Sequence, residues 1–490
     1  MKKGYTLLLI IIIASVLRLA NIWSIPPGLY PDEAMNGNNA VEALETGNYK
    51  VFYPENNGRE GLFANIEVPS VAILGNEPQA LRIPSAVFGI LTVLGVYFLT
   101  KELFGGNSKI ALLAAFLLAT SFWHINFSRI GFRAIMAPFF LVWASYYLFL
   151  ALRKLKEGKK TAALFIYPAI GGLFFGLGFS SYIAYRIMPL IFLALVPFYW
   201  RKKEFYAIGS MFLLFTIVAV LPLALYFVHN PADFLGRTSQ ISVFDSASPL
   251  RAVGLNIVKT LGMFNFAGDY NWRHNVAGRP ELFWPVGLLF LLGVGLSIRS
   301  VFRRMFTKKR SENVLAYTFL FTWAAVAALP VVISNEGIPH ALRAILMIPP
   351  VIIFSAVGGI KLYRYLEKKL KEKQLLKLAA IAFLTLLTFE AYHTYFIKWG
   401  QNEEVASAFT KEYADIAAQI NELPQSTPKI VVVNAWGVMV RGIPMPAQTV
   451  MFMTDSFTEK DRQSHNITYV TPDNFSEASA PEGAAVFQIN

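Results

Sequence analysis

The sequence predicts an all-α polytopic membrane protein of about eleven spans that carries a small C-terminal α/β domain outside the membrane. Three observations predict it. The 490 residues are 55% hydrophobic and only 15% charged, against about a quarter charged in an ordinary soluble domain. The apolar residues are gathered into long uncharged runs, which composition alone does not require. Lysine and arginine cluster in every second connection between those runs. This pattern accounts for the net charge of +13 without any nucleic-acid partner. Cysteine is absent, which removes disulfides, thiolate metal sites and cysteine nucleophiles.

The first run spans Tyr5 to Leu17 behind Lys2 and Lys3, and continues through Trp23. No small-x-small cleavage pattern follows, so it reads as a retained helix rather than a removed signal. Ten more runs lie near 83–100, 109–123, 134–152, 161–181, 187–200, 205–228, 282–298, 314–333, 344–360 and 377–397. With the N-terminus inside and the runs alternating, 25 of the 44 basic residues fall in the inside loops, 299–310 and 361–377 most densely. The remaining connections are longer and hold isolated charges. On this map 1–397 is the membrane domain, with outer-face loops 24–82 and 229–281, and 398–490 is an extracytoplasmic tail. Within the tail, Val405, Phe409, Tyr413, Ile416 and Ile420 follow helical spacing, while KIVVVN, NITYVT and AAVFQIN read as short strands.

Chemistry is expected on the outer face, where the chain carries irregular polar segments. In GLYPDEAMNGNN, Asp32 and Glu33 follow Pro31 at the start of a surface helix. Asp32 is either that helix's N-cap or a general base held at the membrane surface. In NNGREGLF, Arg59 is a candidate for a phosphate contact, with Glu60 either positioning it or binding a cation. A solvated ion pair is the plainer reading. In SNEGIPHALRA, Pro339 reads as a first helical residue, which puts His340 and Arg343 on one face at the positive end of a helix. That is an anion site, unless Arg343 snorkels to headgroups with Glu336 as its partner. Arg129 and Arg133, with Arg18 and Arg186, could together form a cationic rim. The loop GDYNWRHNVAGRPE crowds Asp269, Asn271, Trp272, Arg273, His274 and Asn275 between glycines and a proline. This density of donors, acceptors and rings suits a sugar or phosphate site better than plain packing. The helix before it, with Leu250, Val253, Ile257 and Leu261 on one face, reads as interfacial.

PDEA, GREGLF, RIPSAVFGILTV, SRIGFRA, SSYIAYRIMPL, GDYNWRHN and PHALRA, in this order over the first 400 or so residues, resemble the dolichyl-phosphate-mannose-protein mannosyltransferase-like enzymes of the GT-C superfamily. The lipid A aminoarabinose transferase is a relative. The resemblance implies a GT-C helical bundle with its site on the outer face. It implies a polyprenyl-phosphate sugar donor, a protein or envelope glycolipid acceptor, and inversion at the anomeric carbon. Asp32 matches the expected base, with Glu33 beside it. Arg59, Arg129, Arg273, His340 and Arg343 are then candidates for the donor phosphate. Glu60, Asp269, Asn271, Trp272, His274 and Asn275 are candidates for the sugar and acceptor. Whether a divalent cation serves as cofactor stays open, with Glu60 and His274 as its ligands if one does. The acid–base pair matching Arg59 and Glu60 stands in reversed order here, a further acid of the relative has no counterpart in SRIGFRAIMAP, and no stretch resembles WWDYG of the oligosaccharyltransferases. The rival from another class is a lipid or sugar transporter or flippase, whose ionisable residues should lie near mid-bilayer. A structural envelope protein that binds through its tail is a third reading.

Overall fold

The structure, a computed structural model, describes residues 2–234, 248–306, 313–334, 337–476 and 480–490. Among the described residues, eight helices are long and apolar enough to cross a membrane: 78–103, 133–156, 162–180, 203–229, 284–303, 314–332, 345–369 and 373–399. The other three expected runs are present as the shorter apolar helices 4–19, 108–119 and 183–199. Part of the dense basic loop, Lys308 to Arg310, and the residues Asn335 and Glu336 lie outside the described residues.

The first helix, α1 (Lys2–Leu19), leads to α2 (Pro31–Thr46). Proline fits the first turn of α2 because its missing N–H would have no partner there. The Glu33 carboxylate accepts the backbone N–H of Tyr30 at 3.3 Å. Gly47 ends α2 at φ 69°, where a side chain would be strained. A short antiparallel hairpin follows, β1 (Phe52–Tyr53) with β2 (Arg59–Glu60), in the register Phe52 to Glu60. Then come α3 (Leu62–Leu74) and the spanning helix α4 (Pro78–Leu103). Next are α5 (Ser108–Ala119), α6 (Phe122–Phe127) and α7 (Met136–Lys156).

Two groups of connections separate cleanly. At one end, Arg153 pairs with Glu102, and Phe104 meets Tyr317. At the other end, the segments expected to share the outer face converge. Asn38 bonds Gln448 of the tail, Asn76 bonds Asp455, and Arg441 bonds both Glu42 and Glu55. Asn126 bonds the carbonyl of Arg273, and Trp399 that of Trp272. The tail is α/β as expected. Strands β3 (Lys429–Val433), β4 (Ile467–Val470) and β5 (Ala485–Ile489) form a parallel sheet in the order β4-β3-β5. Its core includes Met35 of α2, so the tail is seated directly on the helix that carries Asp32.

The helical pattern of the tail is broken once, at Thr410 (φ 48°), into Glu403–Ala408 and Lys411–Glu422. Pro339 does not begin a helix. Residues 341–344 form turns, and the α-helix starts at Ile348, with Pro349 in its first turn. The helix-start proline is therefore ten residues further on than expected.

Candidate functional site

Asp32 is the second residue of α2 and not its cap, because Tyr30 occupies the cap position. The residues around it on α2 are buried, while Asp32 itself is partly exposed. Its Oδ1 accepts from Asn56 Nδ2 at 2.8 Å. Asn56 stands in the β1–β2 turn, where Asn56, Asn57 and Gly58 all have positive φ, a conformation that asparagine and glycine tolerate best. The Arg273 guanidinium lies 3.9 Å over the Tyr30 ring. Burial, then the Asp32 charge, pushes the Tyr30 phenol above its usual range. Asp32, Tyr30 and Arg273 therefore form one corner of a polar site at the end of the bundle.

A second corner is built by the loop 268–281. Asp269 Oδ1 accepts the N–H of Asn271, and Asn271 Oδ1 accepts that of Arg273, two successive Asx turns. Asn275 donates to the carbonyls of Asp269 and Arg279. Glu281 accepts the N–H of Asp269 at 3.0 Å. Burial first raises the Glu281 carboxyl well above its usual range. The loop is thus rigid, and it aims Asp269 Oδ2 at His274 Nδ1 (2.8 Å), at the Ala341 N–H (2.8 Å) and at His340 Nδ1 (3.8 Å). The two imidazoles face each other with centroids 4.9 Å apart. Burial is the main cause that lowers His274, and it outweighs the attraction of Asp269. Burial, followed by His274 and Arg343, pushes His340 down to about 3. For Asp269, burial acts upward, but the hydrogen bond and charge of His274, then His340, hold the carboxyl below its usual range.

One oxygen and two neutral nitrogens therefore lie within 4.8 Å of one another. That donor set fits a divalent cation such as zinc. His274 is part of it, as expected for a cation site, but Glu60 is not. The Glu60 carboxylate is held between Arg133 Nε (3.1 Å) and Arg186 Nη2 (3.5 Å). Arg343, four residues beyond Pro339 and within the 341–344 turns, donates to the Ser334 hydroxyl, and its backbone N–H meets His340 Nδ1 at 3.4 Å. His340 and Arg343 thus do adjoin the loop, though no helix dipole supports them.

Other expected site residues are placed elsewhere. Glu33 is fully buried, and its oxygens take Arg82 Nε (3.2 Å), the Gly131 N–H (2.7 Å) and the Tyr30 N–H. It positions the start of α2 and has no exposed oxygen for substrate. Arg129 is fully buried under the rings of Tyr395 and Phe396 and donates to the carbonyls of Leu17 and Ile25, which leaves it no surface on which to meet a phosphate. Arg59 alternates with Glu60 along β2, so it points the other way, to Asn36 Oδ1 at 3.2 Å. Asn271 and Asn275 serve their own loop, and Trp272 packs against the bundle core. Of the expected cationic rim, Arg18 and Arg129 are interior, and Arg133 and Arg186 meet at Glu60. Sequence reasoning missed Tyr30, Asn56 and Glu281. The Asn-Asn-Gly turn and the Tyr-Pro pair were the available signals for the first two.

Residues 66–226 match the family model for dolichyl-phosphate-mannose-protein mannosyltransferase. The Bacillus subtilis (strain 168) protein named "Putative mannosyltransferase YkcB" is 27% identical over 198 residues, 38% of this chain and 25% of that protein. The chain thus spans a quarter of that relative's length. Among solved structures, ArnT from Cupriavidus metallidurans bound to undecaprenyl phosphate superposes with a TM-score of 0.59 at 12% identity, covering 100% of this chain and 90% of that one. The apo oligosaccharyltransferase of Archaeoglobus fulgidus gives 0.56 at 16% identity, covering 96% and 65%. The fold is that of the GT-C glycosyltransferases. The resemblance read from the ordered motifs is borne out, and so is the helical bundle with an α/β tail. At these identities the two solved structures speak for the GT-C fold alone. The family model reaches about a third of the chain, and the Asp32 and 268–281 segments lie outside it.

Proposed function

We propose that this GT-C protein is a membrane transferase that moves a sugar from a polyprenyl-phosphate carrier to an acceptor hydroxyl on the outer membrane face, with inversion. The observation that carries this reading is Asp32. It is a partly exposed carboxylate with no capping duty, fixed by Asn56 on a buried helix start, beside the Tyr30 ring that Arg273 covers. A general base needs such a fixed carboxylate within reach of the acceptor. The match to a mannosyltransferase family model and the undecaprenyl phosphate bound to ArnT support the choice of donor.

In the proposed step Asp32 takes the proton from the acceptor hydroxyl as its oxygen bonds the anomeric carbon. The bond from that carbon to the phosphate oxygen breaks, and polyprenyl phosphate leaves with the electron pair. Arg273 and Arg343 neutralise charge on the leaving phosphate, an interaction that grows as the bond breaks. Asn56 and Tyr30 hold Asp32 and Arg273 in place. A divalent cation held by Asp269, His274 and His340 would add a further positive charge for the phosphate.

The test is release of polyprenyl phosphate from a labelled sugar lipid by the purified protein in vesicles. Release that scales with enzyme supports the reading. Movement of the intact lipid between leaflets without release would establish a flippase instead.

A further inference from the structure

A groove of about 660 Å³ lies beside the site, between residues 48–55 and the end of the helix 203–229. Its volume falls within the range of small-molecule sites, roughly 300–1,000 Å³. We propose that it holds the headgroup of a membrane-anchored glycolipid, so that the acceptor is a sugar hydroxyl on a lipid. This rests on the transferase reading above and names its acceptor class.

Three features carry the proposal. The first is level. The helix Lys203–His229 is a span whose side chains mostly face outward, Leu221 and Leu225 among them. The groove begins at Pro222 and Leu225, still on the apolar helix, and rises to Asn230 and Glu55. An apolar floor at bilayer level and a polar upper wall match an amphiphile whose chains stay in the lipid.

The second is chemistry. The wall offers one ring face, Tyr49, 53% exposed, while Phe52 is buried behind it against Tyr226. Amide and carboxylate groups line the same groove. Rings that cover C–H faces and paired polar groups that bind hydroxyls are what a sugar requires. Glu55 gives one oxygen to Arg441, while its other oxygen is shielded from solvent and has no partner. A buried acceptor of this kind is costly until a donor such as a hydroxyl reaches it.

The third is continuity. Asn56, next to Glu55, donates to Asp32 Oδ1. One turn therefore bounds the groove and fixes the proposed base.

The test measures binding to the full-length protein in nanodiscs, which needs no turnover. Glucosyl-dioleoylglycerol, dioleoylglycerol without the sugar, and a soluble Ser/Thr-rich peptide are compared by native mass spectrometry. The glycolipid should bind about tenfold more tightly than the bare lipid. Leu225→Trp, which fills the floor from a lipid-facing position, and Tyr49→Ala, on an exposed loop, should each remove most of that preference. Equal binding of the two lipids, preference for the peptide, or indifference to both substitutions would overturn the proposal. Release of polyprenyl phosphate without acceptor is measured in parallel. A protein that prefers the glycolipid and never releases polyprenyl phosphate keeps its groove and loses the transferase reading; the reverse result keeps the transferase and loses the groove.

Discussion

Asp32 and Glu33 are adjacent acids with opposite surroundings. A helix turns about 100° per residue, so neighbours on α2 cannot face the same way. Asp32 looks out toward the hairpin turn, while Glu33 looks in at Arg82 and Gly131. Breaking a buried ion pair leaves an uncompensated charge, at about 3–5 kcal/mol. Glu33→Ala should therefore lower the melting temperature in detergent strongly. If it melts like the parent, Glu33 does not hold the start of α2. His340 and His274 make a separate prediction. Neutral imidazoles beside a carboxylate should hold one divalent cation. Elemental analysis of protein exposed to zinc and then desalted should find about one equivalent in the parent and none in His340→Ala. Equal metal content in both would take His340 out of the donor set. The sequence pointed to His340, His274 and Asp32 because polar residues at a span boundary are conspicuous. It could not separate Arg59 from Glu60 or Arg129 from Arg273. Which of them faces inward depends on strand alternation and on rings more than 260 residues away, such as Tyr395 over Arg129.

Among the elements, the three strands of the tail's parallel sheet were legible because each is a compact β-branched or aromatic run. KIVVVN became β3, and NITYVT and AAVFQIN became β4 and β5. The helix start at Pro339 misled because a proline before helical spacing is also compatible with a turn, and the second proline pair, Pro349–Pro350, was the true start. The seat of the tail shows in the glycines. Gly28 has φ 77°, and a Cβ there would lie 2.5 Å from the Phe409 carbonyl oxygen and 2.7 Å from Lys411 Cα. Gly47 also has a positive φ, but nothing lies within 4 Å of its Cβ position. Gly28→Ala should then destabilise by about 1–3 kcal/mol, and Gly47→Ala by about 1 kcal/mol. Equal melting shifts for the two would mean that the junction of residue 28 with residues 409–411 is not tight.

At the scale of the whole molecule, the alternation of basic and polar connections anticipated which segments meet. Loops 24–82 and 268–281 and the tail share one end, and the Glu102–Arg153 pair marks the other. Protease added outside intact cells should cut a tag on the tail and spare one near Lys156; the opposite pattern would place the site on the inner face. The central claim is that the partly exposed carboxylate at this end, Asp32, is the base. The most direct measurement is turnover of Asp32→Asn with labelled polyprenyl-phosphate sugar, taken with its melting temperature. Asparagine keeps the size of the side chain and a polar partner for Asn56, and Asp32 caps nothing, so the melting temperature should stay near the parent value. Asparagine cannot take a proton, so kcat should fall about 10²–10⁴-fold while donor binding survives. Near-normal turnover in a folded Asp32→Asn protein would contradict the account.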